Sequence, residues 1–476
     1  MSGKVSAEAE PRDNRKKTTS TRHVASAKTK IVRRVDESGY GARHPIIPVL
    51  PGPVETEWAE TRLDAVCERI NIPIDMAELS GREWLHYSIP ALEETGGPLI
   101  QDGDSIDSSK LVVQSGDVLI SKLNPRKSRV TTVSDIEALR TIASTEFVAL
   151  RPRMVENGFL SWLLQSEPVR ALLASRVESA TRSHQRVNPD DITKLRARLP
   201  AAVDQTRIAN FLDEKTARID ALIGEKEGLL YSVSELFKAR LGTAVVEGLR
   251  DGARLTPAAG KGFEAVREDW ELIPIKHIVT AGGGMTPSKD KAEFWDGEIP
   301  WVSPKDMKRF VLHDSEDHIT DEAVRSTSLR LYPIDSVLVV VRGMILAHTF
   351  PVALNAIPVT INQDMKALRT NARMSPKYLA WMLRGLAPLM LSLTEESAHG
   401  TKALRTDQWA TQHVPVPPRD EQAALVSQFE EWEQEAIELK AHLEEHIARL
   451  REYRSALISA AVTGQLGIDN FKRGAA

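Results

Sequence analysis

Two related stretches decide the fold of this chain: LPAAVDQTRIANFLDEKTARIDAL, residues 199–222, and VPPRDEQAALVSQFEEWEQEAIEL, residues 416–439. They align without a gap, so that Gln205 matches Gln422, and they lie about 217 residues apart in a chain of 476. Solenoid repeats are much shorter, about 20–45 residues. The spacing therefore predicts a tandem duplication of one unit, a globular domain followed by a long helix.

The similarity continues upstream of each copy, which supports duplication of the whole unit. Three pairs of segments match: GDVLIS from Gly116 with DSVLVV from Asp335, EFVALRPR from Glu146 with DMKALRTN from Asp364, and FLSWLL from Phe159 with YLAWML from Tyr378.

The two stretches predict helices of about 40 residues, because apolar residues recur at steps of three and four as in a coiled-coil seam. Tandem copies related by a pseudo-two-fold axis would pack these helices antiparallel, with the domains at opposite ends. The predicted seam residues are Ile208, Leu212, Ile219, Leu222, Leu229, Val233, Leu236 and Leu241 in the first helix, and Leu425, Phe429, Trp432, Ala436, Leu439, Leu443, Ile447, Leu450, Tyr453 and Leu457 in the second.

The globular domains mix strand-like runs, such as TEFVALRP and DSVLVVVRG, with apolar-faced helices. The predicted fold class is α/β in the mixed α+β sense: two globular domains joined by two long antiparallel coiled-coil helices, with a pseudo-two-fold internal repeat. The predicted boundaries are a disordered basic tail (1–50), domain one (51–199), the central helix (200–250), a linker (251–265), domain two (266–414), the C-terminal helix (415–466) and a tail (467–476).

Composition limits the classes of protein that fit. The net charge of -4 argues against a strongly basic free-standing DNA binder, although local charge can still serve DNA. Cys67 is the only cysteine, which excludes an intrachain disulfide and a cysteine zinc cluster. No apolar run reaches the ~20 residues that span a bilayer, and the first residues lack a secretory apolar core. We expect a cytoplasmic protein with no membrane contact, whose basic tail is solvated or touches DNA weakly.

One family resemblance fits this layout. GGGMTPSKDKAEFWDGEIPWVSPKDM, from Gly282, resembles the opening of the target-recognition domains of type I restriction-modification specificity subunits, and the stretch from Leu199 resembles their central helix entry. Domain one has no clear TPS…IPW match. The resemblance covers about residues 55–466. It implies that each domain reads one half of a split site on double-stranded DNA.

The resemblance also implies partners. The helices would act as a spacer and hold two methyltransferase subunits, which bind S-adenosylmethionine and methylate adenine, and ATP-dependent restriction subunits with motor and nuclease activity would complete the complex. The chain itself would then need no cofactor and no metal.

Candidate DNA-binding residues follow from chemistry, since phosphates attract Lys and Arg, and Arg, Lys, Asn and Gln read base edges. Two polar loops in domain one carry such residues, and the second of them has an equivalent in domain two, although any of these could be an ordinary solvated loop. The candidates in domain one are Lys122, Asn124, Arg126, Lys127 and Arg129, then Arg182, His184, Gln185 and Arg186; those in domain two are His399, Thr401, Lys402 and Arg405, with Ser303, Lys305 and Arg342 in addition.

Motifs for catalysis are missing from the sequence. There is no GxxxxGK[ST] phosphate loop and no Asn-Pro-Pro-aromatic motif of an adenine methyltransferase. His442 and His446 are one helical turn apart without an obvious third ligand, so they are interpreted as exposed helix polarity. We therefore predict a non-catalytic subunit. The alternatives are a coiled-coil scaffold without a DNA role and a self-contained methyltransferase or nuclease.

Overall fold

The computed structural model describes residues 58–134, 139–177, 185–250, 252–396 and 401–467. Domain one is built on two sheets. An antiparallel four-stranded sheet has the order β2-β10-β7-β8, and a five-stranded sheet has the order β3-β6-β9-β4-β5 with β4 and β9 parallel. Its strands are β1 (Ala59–Arg62), β2 (Cys67–Ile70), β3 (Pro73–Ile74), β4 (Glu83–Tyr87), β5 (Leu99–Asp102), β6 (Lys110–Val113), β7 (Val118–Ser121), β8 (Val130–Thr132), β9 (Thr141–Ser144), β10 (Phe147–Pro152) and β11 (Arg196–Leu199).

Short helices lie between the strands of domain one. They are α1 (Leu63–Val66), α2 (Met76–Leu79), α3 (Ile89–Thr95), α4 (Asn157–Gln165), α5 (Glu167–Ser175) and α6 (Pro189–Thr193). The pairing of β1 with β11 brings the start of the domain beside its end, immediately before α7 (Ala202–Glu247). That helix ends at Gly248, whose φ of 79° is a conformation that glycine adopts without strain.

The predicted linker contains a hairpin. Strands β12 (Leu255–Pro257) and β13 (Ala265–Arg267) pair antiparallel, so the hairpin extends across the predicted start of domain two at residue 266.

Domain two repeats the plan with its own sheets, of order β15-β23-β19-β21-β17, β18-β16-β22 and β20-β25-β24. Strands β14 and β26 close it as β1 and β11 close domain one. Its strands are β14 (Glu271–Pro274), β15 (Val279–Gly283), β16 (Trp295–Val302), β17 (Val311–Leu312), β18 (Asp317–Ile319), β19 (Val337–Val340), β20 (Arg342–Gly343), β21 (Val352–Asn355), β22 (Thr360–Ile361), β23 (Met365–Thr370), β24 (Thr394–Glu396), β25 (Lys402–Leu404) and β26 (His413–Val416); its helices are α8 (Asp321–Ser326), α9 (Pro376–Gly385), α10 (Ala387–Ser392) and α11 (Thr406–Thr411), followed by α12 (Arg419–Val462).

The two long helices pack antiparallel, as predicted. Arg454 of α12 forms two hydrogen bonds with Asp220 of α7, at 2.8 and 3.0 Å. Arg451, nearer the start of α12, reaches Glu227, which is further along α7. Because the residue numbers rise on one helix as they fall on the other, the helices run in opposite directions.

Each domain packs on both helices, at opposite ends of the pair. The core of domain one takes in Leu212 from the start of α7 and Ile458 from the end of α12. The core of domain two takes in Val245 from the end of α7 and Phe429 from the start of α12. Each domain therefore packs against the helix of its own copy, and the returning helix of the other copy completes its core.

A buried glutamine fixes each helix start to its domain. The Gln205 side chain accepts from the Glu156 N–H at 2.8 Å and donates to the Pro200 carbonyl at 2.9 Å. The matching Gln422 accepts from the Ser375 N–H and donates to two carbonyls, each at 2.8 Å. Both amides satisfy backbone groups that would otherwise be buried without a partner.

The predicted seam is wrong at several positions, in the middle of the helix pair and beside it. Leu222, Leu229 and Leu236 are exposed on α7, and Leu439 and Tyr453 are exposed on α12. Leu439 is 49% exposed while Leu443 is 7% exposed. A pair of helices buries only a narrow stripe on each partner, so apolar residues at helical spacing can lie outside it.

Domain two meets α7 at an especially close contact. A Cβ atom on Gly385, the last residue of α9, would lie 2.9 Å from Cγ2 of Val245, and a Cβ on Gly242 would lie 3.4 Å from the Gly385 carbonyl oxygen. The missing side chains let the two helices approach backbone to backbone.

Across the described residues, no helix is both long enough and apolar enough to cross a membrane.

Candidate nucleic-acid interface

The two candidate loops of domain one, predicted separately, form a strand pair. The N–H of Asn124 donates to the Gln185 carbonyl at 2.8 Å, and the N–H of Val187 donates to the Lys122 carbonyl at 2.9 Å. Leu123 and Arg186 face each other as an antiparallel bridge. Candidates about 60 residues apart in sequence therefore share one surface.

Domain two contains the same arrangement. Arg342 pairs with Ala403 across β20 and β25, and the N–H of Leu404 donates to the Val341 carbonyl at 2.8 Å. The matched segments from Gly116 and Asp335 put Leu123 and Arg342 at equivalent repeat positions. We call segments 122–124 with 185–187, and 341–343 with 402–404, the polar strand pairs of the two domains.

The turns that follow the first strand of each pair differ in chemistry. In domain one Asn124 is left-handed, at φ 50°, and starts a 3-10 turn from Pro125 to Lys127 that exposes Arg126. Among the described residues Arg126 has no ion-pair partner. In domain two the equivalent turn, Met344–Ala347, exposes Met344 instead. Domain one thus presents charge where domain two presents an apolar side chain.

Glu93 holds two of the predicted cations of domain one. It accepts from Lys127 Nζ at 3.1 Å and from Arg129 Nε at 3.0 Å, which lowers the pKa of its carboxyl group. Arg129 also donates through Nη1 to the Leu123 carbonyl at 3.1 Å, and its side chain is only 8% exposed. Arg129 therefore supports the strand pair from beneath, whereas Lys127 remains exposed.

Arg186 and Arg342 remain on the surface beside a carboxylate. Arg186 forms two hydrogen bonds with Glu146, at 3.1 and 2.9 Å, which raise the pKa of its guanidinium. Arg342 donates through Nε to Asp364 at 2.6 Å. Their side chains are 50% and 52% exposed, so both are open to a ligand.

Arg405 uses both edges of its guanidinium within the protein. Nε and Nη2 bind Asp407 at 3.2 and 2.7 Å, and Nη1 binds Glu395 at 2.9 Å. These carboxylates raise its pKa. A base could be bound bidentately by Arg405 only after one of these contacts breaks.

The remaining candidates fall into four groups. Ser303 is buried and forms a capping box with Asp306, so its hydroxyl has a structural role. Lys305 is exposed and binds Asp317 at 2.8 Å and Glu316 at 3.2 Å, which raises its pKa. Lys122, Gln185, Thr401 and Lys402 are half-buried in or beside the strand pairs, and Arg182, His184 and His399 lie outside the described residues.

The sequence reasoning missed other charged groups. Lys308 and Arg309 are exposed next to Lys305, and the run KDMKR was the available signal. Glu146 and Asp364 were not predicted as site residues, because a carboxylate that binds an arginine leaves no pattern of its own in the sequence.

The described residues were also compared with the requirements of a metal site and of a reactive cysteine. No group of three or more His, Cys, Asp or Glu residues there is arranged to hold a metal ion. Burial raises the pKa of the Cys67 thiol to about 12, so it stays protonated and is a poor nucleophile at neutral pH.

Part of the sequence matches a known protein family, and the chain resembles known relatives in sequence. Residues 267–449 match the model of the family described as "Type I restriction modification DNA specificity domain". The type I restriction enzyme EcoR124I/EcoR124II specificity subunit of Escherichia coli is 40% identical over 145 residues, which are 30% of this chain and 36% of that protein. The HindI specificity subunit of Haemophilus influenzae is 21% identical over 483 aligned positions, covering 86% of this chain and all of that protein.

A solved structure shares the fold over most of the chain. A chain of the assembly described as "Structural basis underlying complex assembly and conformational transition of the type I R-M system" aligns with a TM-score of 0.69 at 20% identity, covering 88% of this chain and 99% of that one. These matches confirm the family resemblance predicted from the sequence. They give no support to a scaffold without a DNA role.

Proposed function

We propose that this chain, whose residues 267–449 belong to the family of type I restriction-modification DNA specificity domains, is the DNA specificity subunit of a type I restriction-modification complex. One observation carries the proposal: a polar strand pair occurs in both domains, at opposite ends of an antiparallel helix pair. Two related but diverged polar surfaces on one rigid spacer suit the reading of two different half-sites.

The length of the spacer fits a split DNA site. Helix α7 has 46 residues, or about 69 Å at 1.5 Å per residue. Successive half-sites on one face of duplex DNA lie about 34 Å apart per helical turn, so this length corresponds to about two turns. The helices would therefore set the number of base pairs between the half-sites.

The middle of the helix pair offers a surface for partners. Leu229, Tyr231 and Leu236 on α7 and Ile437 and Leu439 on α12 are exposed, and exposed apolar surface of this kind marks protein interfaces. We propose that two methyltransferase subunits dock here and that restriction subunits join the complex. S-adenosylmethionine and ATP would bind those partners, and this chain would catalyse nothing itself.

Methylation mapped across the genome of the native host tests this function directly. Deleting the gene should abolish methylation at one two-part motif, and restoring the gene should restore it. Deleting the gene of the methyltransferase partner is the control, because it should abolish methylation at the same motif. An unchanged methylation map in the deletion strain would contradict the proposal. If the chain nevertheless assembled with partner proteins, that result would favour the alternative of a coiled-coil scaffold without a DNA role.

A further inference from the structure

In each domain, one arginine of the polar strand pair is held by a carboxylate from the same repeat position. Glu146 opens EFVALRPR and Asp364 opens the matching DMKALRTN. Glu146 accepts from Arg186 Nε at 3.1 Å and Nη2 at 2.9 Å, and Asp364 accepts from Arg342 Nε at 2.6 Å. Both carboxylates thus lie on the Nε side of a guanidinium.

The two arginines come from opposite strands of equivalent pairs. Arg186 faces Leu123, and Arg342 faces Ala403. Since Leu123 is the repeat equivalent of Arg342, the carboxylate keeps its position while the arginine changes strand. The domains therefore place the same functional group at different points of the same surface, as two domains with different targets require.

The hydrogen-bond pattern leaves one edge of each guanidinium open. A guanidinium has five N–H donors in a planar fork. Within the described part of the chain, Nη1 of Arg186 and both terminal nitrogens of Arg342 have no hydrogen-bond partner. In Arg129 and Arg405, by contrast, Nη1 is bound to the Leu123 carbonyl and to Glu395.

We propose that Arg186 and Arg342 each donate their open edge to O6 and N7 of a guanine in the major groove, one in each half-site, with Glu146 and Asp364 as positioning residues. The proposal rests on the proposed function, because it specifies what the two domains read. Arginine bidentate to guanine is a geometry that the fork matches, and a side chain already held in place loses less rotamer entropy on binding.

The carboxylate also explains why a base rather than a phosphate is the partner. A negative charge beside the guanidinium repels a phosphate, whereas guanine O6 and N7 are neutral acceptors. The arrangement therefore selects against the contact that carries no sequence information.

The test uses the complex purified from its native host, with duplexes that carry the motif found by methylation mapping. Arg186→Lys should reduce the preference for guanine about tenfold at one position of one half-site, and Arg342→Lys should do so in the other half. Lysine keeps the charge but loses the fork. Replacing that guanine by 7-deazaguanine, which lacks N7, should weaken binding by the wild type. It should not further weaken binding by Arg186→Ala or Arg342→Ala, whose side chains have no donor for N7.

The positioning residues have a separate signature. Glu146→Gln and Asp364→Asn remove the charge and keep the shape, so the arginine becomes free to reach a phosphate. The guanine preference should fall at the same position and the salt dependence of binding should steepen. A purely structural role would lower the melting temperature without moving the salt slope.

Matched controls are available in both domains. Arg153, bound to Glu68, and Arg373, bound to Glu271 at 2.9 Å, are exposed pairs outside the strand pairs. Arg153→Lys and Arg373→Lys should leave the motif unchanged. A loss of affinity that is uniform across sequences in Arg186→Lys and Arg342→Lys, or no effect of 7-deazaguanine, would overturn the guanine assignment while leaving the specificity function intact. If deletion of the gene leaves methylation unchanged, the proposed function itself fails.

Discussion

The ends of the helix pair and its middle are built from similar sequence but are packed differently. At the ends, Leu212, Val245 and Phe429 are buried in the cores of the two domains. In the middle, no residue of α7 between 224 and 240 and none of α12 between 433 and 442 is buried. The apolar residues of the middle cover little of one another, and several face outward.

The contrast shows what helical periodicity measures. Apolar residues at steps of three and four predict that a helix has an apolar face, but they do not say which partner covers that face. At the ends the partner is a domain of the same chain. In the middle, part of the face is covered by neither the other long helix nor a domain, which is why the seam prediction failed at Leu229 and Leu439.

The largest expected effect is at an end. Phe429 is fully buried against Trp381 and Trp432, with ring centroids at 5.9 and 5.8 Å. Phe429→Ala should lower the free energy of unfolding by about 3–5 kcal/mol. Ile437→Ala in the exposed middle is the matched control and should change it by less than about 0.5 kcal/mol. Equal losses measured by denaturant unfolding would remove the distinction between end and middle.

The contrast can be sharpened at the boundary of the middle, where Leu443 is buried and Leu439, one turn earlier, is exposed. Leu443→Ala should cost about 2–3 kcal/mol, whereas Leu439→Ala should cost less than about 0.5 kcal/mol in the isolated chain. Leu439→Asp should instead weaken assembly with partner subunits, which size-exclusion chromatography of the mixture would detect. If Leu439→Ala is the more destabilising of the two alanine variants, the stripe has been assigned to the wrong residues.

The buried glutamines test how each end is joined to its domain. Gln422→Ala leaves one N–H and two carbonyls without their partner, so it should cost about 1–3 kcal/mol. Gln205→Ala, which removes two such bonds, should cost less. Gln434→Ala, at an exposed position of α12, serves as the control in thermal unfolding. A reversed order for the two buried glutamines would contradict this account.

The smallest effect is expected for the ion pair between the helices. Arg454 and Asp220 are partly exposed, so Arg454→Ala should cost at most about 1 kcal/mol, and added salt should shrink the difference from wild type. A loss of several kcal/mol that persists at high salt would mean that packing of Arg454 over Trp162, at 5.8 Å from its ring centroid, matters more than charge.

The sequence predicted the fold further than the site. Repeat spacing and helical periodicity can be read directly from the sequence. They predicted both long helices and their antiparallel packing, and they matched the glutamines at the helix starts. The strand pair between Leu123 and Arg186 depends on a contact between distant segments, which no local pattern records. The distinction between Arg186, with an open edge, and Arg405, with both edges bound, depends on where carboxylates lie in space.

Gly385 determines how closely domain two packs against α7. Because Gly385 has no side chain, the end of α9 can lie directly against Val245 of α7. A methyl group at position 385 would push α9 away from α7. Because domain two extends away from this contact, a shift of a few tenths of an ångström at the contact becomes a larger displacement at the far surface of the domain. Gly385→Ala would therefore change the angle between the polar strand pairs of the two domains and, under the proposed function, the distance between half-sites that the chain tolerates.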